Sequence, residues 1–253
     1  MTEALLKVDG ITRRFGGVLA SDGIVLSVPM GELHAIIGPN GAGKTTLIGQ
    51  LIGEIVPNSG TIAFAGNDIT ALATYQRSVM GLARSFQITS LFPDFTALDN
   101  VALAVQAHAG HSFRFWKKAR EERALRDPAR AVLDRVGLLN RADTVVSSMS
   151  HGEHRQLEIA MALATKPRML LLDEPMAGMG PEESARMVKT LLELKKEYTI
   201  LLIEHDMEAV FALADRISVL VYGRVIATGL PADIRANPEV RQAYLGEQEA
   251  VHG

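Results

Sequence analysis

Apolar positions in this chain fall into short runs separated by glycine, proline and polar turns, and run length and spacing sort the chain into three stretches. The first reads as strands over 5–8, 18–28 with a break at Ser21-Asp22-Gly23, and 33–37, punctuated by Gly16-Gly17 and Pro29-Met30-Gly31. A helix over 45–52 and a strand over 60–64 follow. From about 95 to 165 apolar residues recur at helical spacing, in 98–107 and 129–136, around a charged block at 117–130. Beyond it strands at 169–172, 199–203 and 217–221 alternate with helices at 181–197 and 207–214, and residues 230–253 form a polar helical tail. Alternation of this kind predicts crossover units, hence an α/β fold around a mostly parallel, buried sheet.

Three segments carry candidate chemistry. Gly38-Pro39-Asn40-Gly41-Ala42-Gly43-Lys44-Thr45 matches the phosphate-binding loop pattern in full, with a strand before it and a helix after it. A triphosphate needs several backbone N–H donors at close range, and glycines let the chain wrap it while the helix N-terminus faces the charge. Lys44 would reach the β- and γ-phosphates, and the Thr45 hydroxyl would ligate Mg²⁺. Second, the run Met169-Leu170-Leu171-Leu172 ends in Asp173-Glu174, a buried strand bringing two carboxylates to its C-terminal edge. Asp173 suits Mg²⁺ through water, and Glu174 suits the general base for an attacking water. Third, Ser150-His151-Gly152-Glu153 opens a helical stretch and reads as a second anion-binding device or as an ordinary N-cap. His205, beside Glu204 just past a strand, is a candidate γ-phosphate contact or a structural cap. Gln87, where core gives way to the helical stretch, could reach Mg²⁺ or the attacking water.

Composition narrows the classes. The 253 residues carry a net charge of −3, which gives no electrostatic reason to expect nucleic acid. Cysteine is absent, so disulfides, thiolate nucleophiles and cysteine zinc sites are excluded. No apolar run approaches the roughly 18–20 residues that span a bilayer, and no secretory leader is expected at the N-terminus. The block at 117–130 suits a solvated helix face or a partner surface, and Phe113, Phe115 and Trp116 beside it suit packing rather than base stacking.

Taken in order, the phosphate loop, Gln87, Ser150–Glu153, Asp173-Glu174 and His205 resemble the ATP-binding cassette (ABC) ATPases across essentially the whole chain. The resemblance implies a phosphate-loop NTPase core with an N-terminal antiparallel β subdomain and an inserted α-helical subdomain. It implies one domain over 1–253: core 1–90 and 166–230, helical subdomain about 91–165, tail 231–253. Residues 38–45 and Thr46 would hold the nucleotide, Phe15 would stack on adenine, and Thr45, Gln87 and Asp173 would hold Mg²⁺. Gln87 would be the lid glutamine that senses the γ-phosphate, and His205 the switch histidine beside the catalytic Glu174. Met149 to Glu153 would be the signature turn, with Ser150, His151, Gly152 and Glu153 serving the ATP of a second ATP-binding subunit, identical or different, paired head to tail. Two membrane permeases and, indirectly, a periplasmic binding protein would complete a transporter, with this chain peripheral on the cytoplasmic face of the inner membrane.

Finer features resemble the ATPases of branched-chain amino acid importers: Arg14-Phe15-Gly16-Gly17, Ala83-Arg84-Ser85-Phe86-Gln87, Leu157-Glu158-Ile159-Ala160, Ala177-Gly178-Met179 and Tyr244-Leu245-Gly246. Urea and short-chain amide importers share several of these, and a lipid exporter, a non-transport ABC ATPase and a phosphate-loop kinase are the other readings. The sequence departs from the wider family at Met149, His151 and Glu153, where leucine, glycine and glutamine are usual. Gly180 stands where aspartate or asparagine usually links the two ATP sites. The apolar, turn-rich segment 88–96 is expected to line the groove for a permease helix, or to pack beneath the helical subdomain.

Overall fold

The computed structural model describes residues 4–84, 91–109 and 123–243. They fall into two compact units, one within Met1–Arg77 and Lys195–Gly253, the other within Ser78–Leu194. Gln87, the aromatics Phe113, Phe115 and Trp116, and Tyr244-Leu245-Gly246 lie outside the described residues.

In the first unit β1 (Ala4–Phe15) and β2 (Val18–Pro29) pair antiparallel around the Gly16-Gly17 turn. The break expected at Ser21-Asp22-Gly23 does not interrupt β2. It is a bulge, where Ile11 pairs with Ile24 but Arg13 pairs with Ser21. One extra residue in a ladder bends the strand without ending it, so polar residues there mark a register shift, not a turn. After β3 (Leu33–Ile37) and α1 (Lys44–Ile52), β4 (Ser59–Phe64) and β5 (Asn67–Asp68) complete a four-stranded sheet in the order β2-β1-β4-β5. α2 (Thr74–Val79) carries the chain towards the second unit.

That second unit contributes β6 (Leu82–Arg84), α3 (Ala97–Ala109), α4 (Arg123–Arg135), α5 (His151–Ala164), β7 (Met169–Asp173) and α6 (Pro181–Leu194). β6 and β7 are parallel, and all five residues of β7 are buried. The chain then returns to the first unit through β8 (Thr199–Ile203), α7 (Met207–Leu213), β9 (Arg216–Val221), β10 (Arg224–Gly229) and α8 (Pro231–Ala236). There β3 runs parallel to both β8 and β9, while β10 folds back antiparallel on β9.

Every residue of β3 and β8 is buried, which is why both read as unbroken apolar runs. β10 has no buried residue and follows a turn at Tyr222-Gly223 that lacks the Asn-Gly or Asp-Gly signal, so periodicity does not reveal it. Ala35, Ile37, Val210, Ile217 and Val219 close a core on which β3, and the loop that follows it, is seated. The fold is therefore α/β, with an antiparallel sheet at the N-terminus and parallel pairings elsewhere.

Candidate functional site

In the first unit the glycine-rich loop leaves β3 and enters α1. Two of its glycines are sterically required: a Cβ on Gly38 would lie 2.1 Å from the Leu220 carbonyl oxygen, and one on Gly43 2.4 Å from that of Ala20. Gly43 also has φ 104°, at the cap of α1. The loop is fastened by the Gly223 N–H, which donates to the Ala42 carbonyl at 2.8 Å. Pro39 is half-buried, Ala42 buried, and Asn40 and Gly41 exposed. The Lys44 ammonium curls back and donates to the carbonyls of Gly38 at 2.5 Å and Pro39 at 2.9 Å. Thr45 is exposed and Thr46 half-buried in the first turn of α1. Phe15 is 44% exposed, with the Arg13 guanidinium 4.7 Å above its ring.

His205 is also in this unit. Its side chain is 63% exposed, and Nδ1 lies 3.5 Å from the Glu204 carboxylate. Glu204 is buried, and its Oε2 accepts the backbone N–H of His205 at 2.8 Å and of Asp206 at 3.2 Å. Asp206 in turn caps α7 through the N–H groups of Glu208 and Ala209. The sequence reading credits His205 alone. Glu204 is what fixes the turn on which the histidine stands.

In the second unit β7 delivers Asp173, only 5% exposed, against the Arg84 guanidinium at 3.1 Å. Burial pushes the Asp173 carboxyl above its usual range, and the hydrogen bond and charge of Arg84 oppose that shift. Glu174, the next residue, has φ 47°. A non-glycine residue in the left-handed region carries strain of roughly 1–3 kcal/mol, and such strain concentrates at functional sites.

Ser150 caps α5 with a reciprocal capping box: its hydroxyl accepts the Glu153 N–H at 3.2 Å, and Glu153 accepts the Ser150 N–H at 2.8 Å. Arg141 donates to Glu153 at 2.7 Å and holds that box in place. The His151 ring donates to the Ala177 carbonyl at 3.1 Å, tying the start of α5 to the segment after Glu174. A cleft of about 420 Å³ opens here, lined by Ser150, Gly152, Arg141, Met179, Glu183 and Arg186. A second, of about 550 Å³, is lined by Leu91, Pro93, Val146, His154, Arg155 and Glu158. Beside it Phe92 and Phe95 are 50% and 41% exposed and stacked at 5.4 Å. The buried Asn100 holds their turn, accepting from the Phe92 N–H and donating to its carbonyl.

The candidate residues thus form two groups. Phe15, the loop 38–46 and His205 belong to one unit, and Asp173, Glu174 and Ser150–Glu153 to the other. Pattern reading missed Arg84, Glu204 and Glu183, because each acts through a partner distant in sequence or through a backbone turn.

A family model described as ABC transporter matches residues 21–177. Another, described as Branched-chain amino acid ATP-binding cassette transporter, matches residues 224–250. The high-affinity branched-chain amino acid transport ATP-binding protein LivG of Salmonella typhimurium is 40% identical over 254 residues, covering 98% of this chain and 100% of the relative. The corresponding BraF of Pseudomonas aeruginosa is 39% identical with the same coverage. A solved ATP-binding cassette of an ABC transporter in its ADP conformation gives a TM-score of 0.86 at 30% identity, covering 97% of this chain and 100% of that one. Likeness that runs through both units at this level leaves one conclusion: this chain belongs to the ABC transporter family, among its branched-chain amino acid ATP-binding subunits.

Proposed function

We propose that this chain hydrolyses ATP to power import of branched-chain amino acids or related small amides and acids through two membrane permeases. The observation that carries the reading is Asp173-Glu174 at the end of the wholly buried β7, in a chain matched throughout its length to branched-chain amino acid transport ATP-binding proteins. Lys44 would leave the Gly38 and Pro39 carbonyls for the β- and γ-phosphates, and the loop N–H groups would bind the remaining charge. Phe15, an exposed aromatic, would stack on adenine.

The Asp173 carboxylate, which already faces a cationic group, suits a hard cation such as Mg²⁺. The Thr45 hydroxyl and the Gln87 amide would be its further ligands. Bound there, Mg²⁺ would neutralise charge on the terminal phosphates. Glu174 would take the proton of the attacking water, His205 would touch the γ-phosphate, and Gln87 would report its presence to the permeases. Ser150 to Glu153 would close on the nucleotide of a second ATP-binding subunit. Among the described residues no helix is long and apolar enough to cross a membrane. The chain would sit peripherally at the cytoplasmic face, held by its permeases.

Glu174→Gln tests the reading. It should keep Mg·ATP binding and lower turnover by roughly 10²–10⁴-fold, the contribution of a lost general base. Turnover near that of the unaltered chain would remove Glu174 from the reaction.

A further inference from the structure

Over the N-terminus of α5 lies a carboxylate of this chain's own. The Ser150 hydroxyl donates to Glu183 Oε1 at 3.3 Å. A Cβ on Gly152 would lie 2.7 Å from that same oxygen and 2.9 Å from Glu183 Cδ, so the carboxylate rests against the glycine's open face. Its other oxygen accepts the Gly180 N–H at 3.4 Å. Glu183 is the third residue of α6, and it therefore bridges the N-termini of two helices of eight residues or more. The dipoles of both ends favour an anion in that position. The nearby cations are otherwise engaged: Arg141 pairs with Glu153, and Arg186 lies 4.0 Å from Glu182. Gly180 contributes to the arrangement, since a residue without a side chain leaves its N–H open to the carboxylate.

We propose that Glu183 is a positioning residue that acts as a stand-in anion, occupying the place over Ser150 and Gly152 that the terminal phosphate of a second subunit's ATP takes. The inference rests on the reading that this turn serves a second subunit's nucleotide. A carboxylate and a phosphate cannot share one hydroxyl and one helix end without strong repulsion. Glu183 must therefore turn away before two copies close on ATP. Until it does, it holds the Ser150 hydroxyl by that hydrogen bond. Its charge thus sets how much ATP closure requires.

The test is the ATP concentration at which two copies associate, read by sedimentation velocity with Mg·ATP in a Glu174→Gln background. Adding Glu183→Gln removes the charge but keeps an acceptor for Ser150 and Gly180. It should lower the midpoint by about three- to tenfold, as expected when a competitor no longer depletes the closure-competent state. Glu183→Ala should shift it in the same direction. An unchanged midpoint, with only the melting temperature altered, would mean a purely structural contact and overturn the proposal. A raised midpoint would do so as well, showing that the charge assists closure. Failure of the Glu174→Gln parent itself to associate with Mg·ATP would instead defeat the reading of the signature turn, and this inference with it.

Discussion

At the scale of single residues, the two acids that end β7 differ in ways the sequence does not show. Acid-ended apolar runs are common, and Asp173 and Glu174 look alike in one dimension. The structure separates them: Asp173 is buried and paired with Arg84, whereas Glu174 sits at φ 47°. Four apolar residues and two acids were enough to place a strand and its carboxylates. The backbone outlier was not legible, because it depends on how the chain turns out of β7, where the Ala177 N–H returns to the Glu174 carbonyl at 3.1 Å. Glycine adopts that conformation freely, so Glu174→Gly should raise unfolding stability by about 1 kcal/mol in urea titration while abolishing turnover. A loss of stability instead would mean that Glu174 is held there by favourable contacts rather than strained. Arg84, Glu204 and Glu183 were hidden for a related reason: an arginine or glutamate among helical or strand residues reads as solvated until its partner is known.

Among elements, α1 shows how far the phosphate loop depends on support from elsewhere. The far end of this helix is held by Arg77, which is buried and donates to the carbonyls of Gln50 and Leu51 at 2.7 Å, of Leu72 at 2.9 Å and of Thr70 at 3.0 Å. A cation at a helix C-terminus complements its dipole and satisfies carbonyls that the helix itself leaves open. Burial depresses the Arg77 pKa, with partial compensation by Asp68, and the guanidinium remains charged. Arg77→Ala should therefore cost about 3–5 kcal/mol in chemical denaturation, the range for stripping a buried charged donor from its acceptors.

Strands buried on both faces, and helices with clear spacing, were legible in the sequence. The bulge in β2 and the edge strand β10 were not, since both depend on register rather than pattern. The turn at 91–96 is the other element with a consequence. Its stacked Phe92 and Phe95 are exposed beside the second cleft, on a turn pinned by Asn100. Phe92→Asp or Phe95→Asp should abolish transport in reconstituted vesicles while leaving ATP affinity within about twofold, because surface changes away from a ligand shift its binding little. An equal loss of ATP affinity would return the segment to ordinary packing.

For the whole molecule, the assignment of chemistry to two units bears on how many copies one reaction needs. The loop 38–45 and Ser150–Glu153 each suit an anion, and they sit in different units, so one chain offers two candidate anion-binding devices. If the second device serves another subunit's nucleotide, a defect in one device can be rescued by a copy defective in the other. Lys44→Ala and Ser150→Ala, each inactive alone, should recover hydrolysis when mixed, because a mixed pair contains one site with both Lys44 and Ser150 intact. At equal amounts half of the pairs are mixed, and each holds one of two sites, so recovery should approach roughly a quarter of the unaltered rate. That figure assumes that one intact site works without its neighbour. Recovery well below a quarter would show that the two sites are coupled, and no recovery at all would mean that two copies of this chain do not share a site.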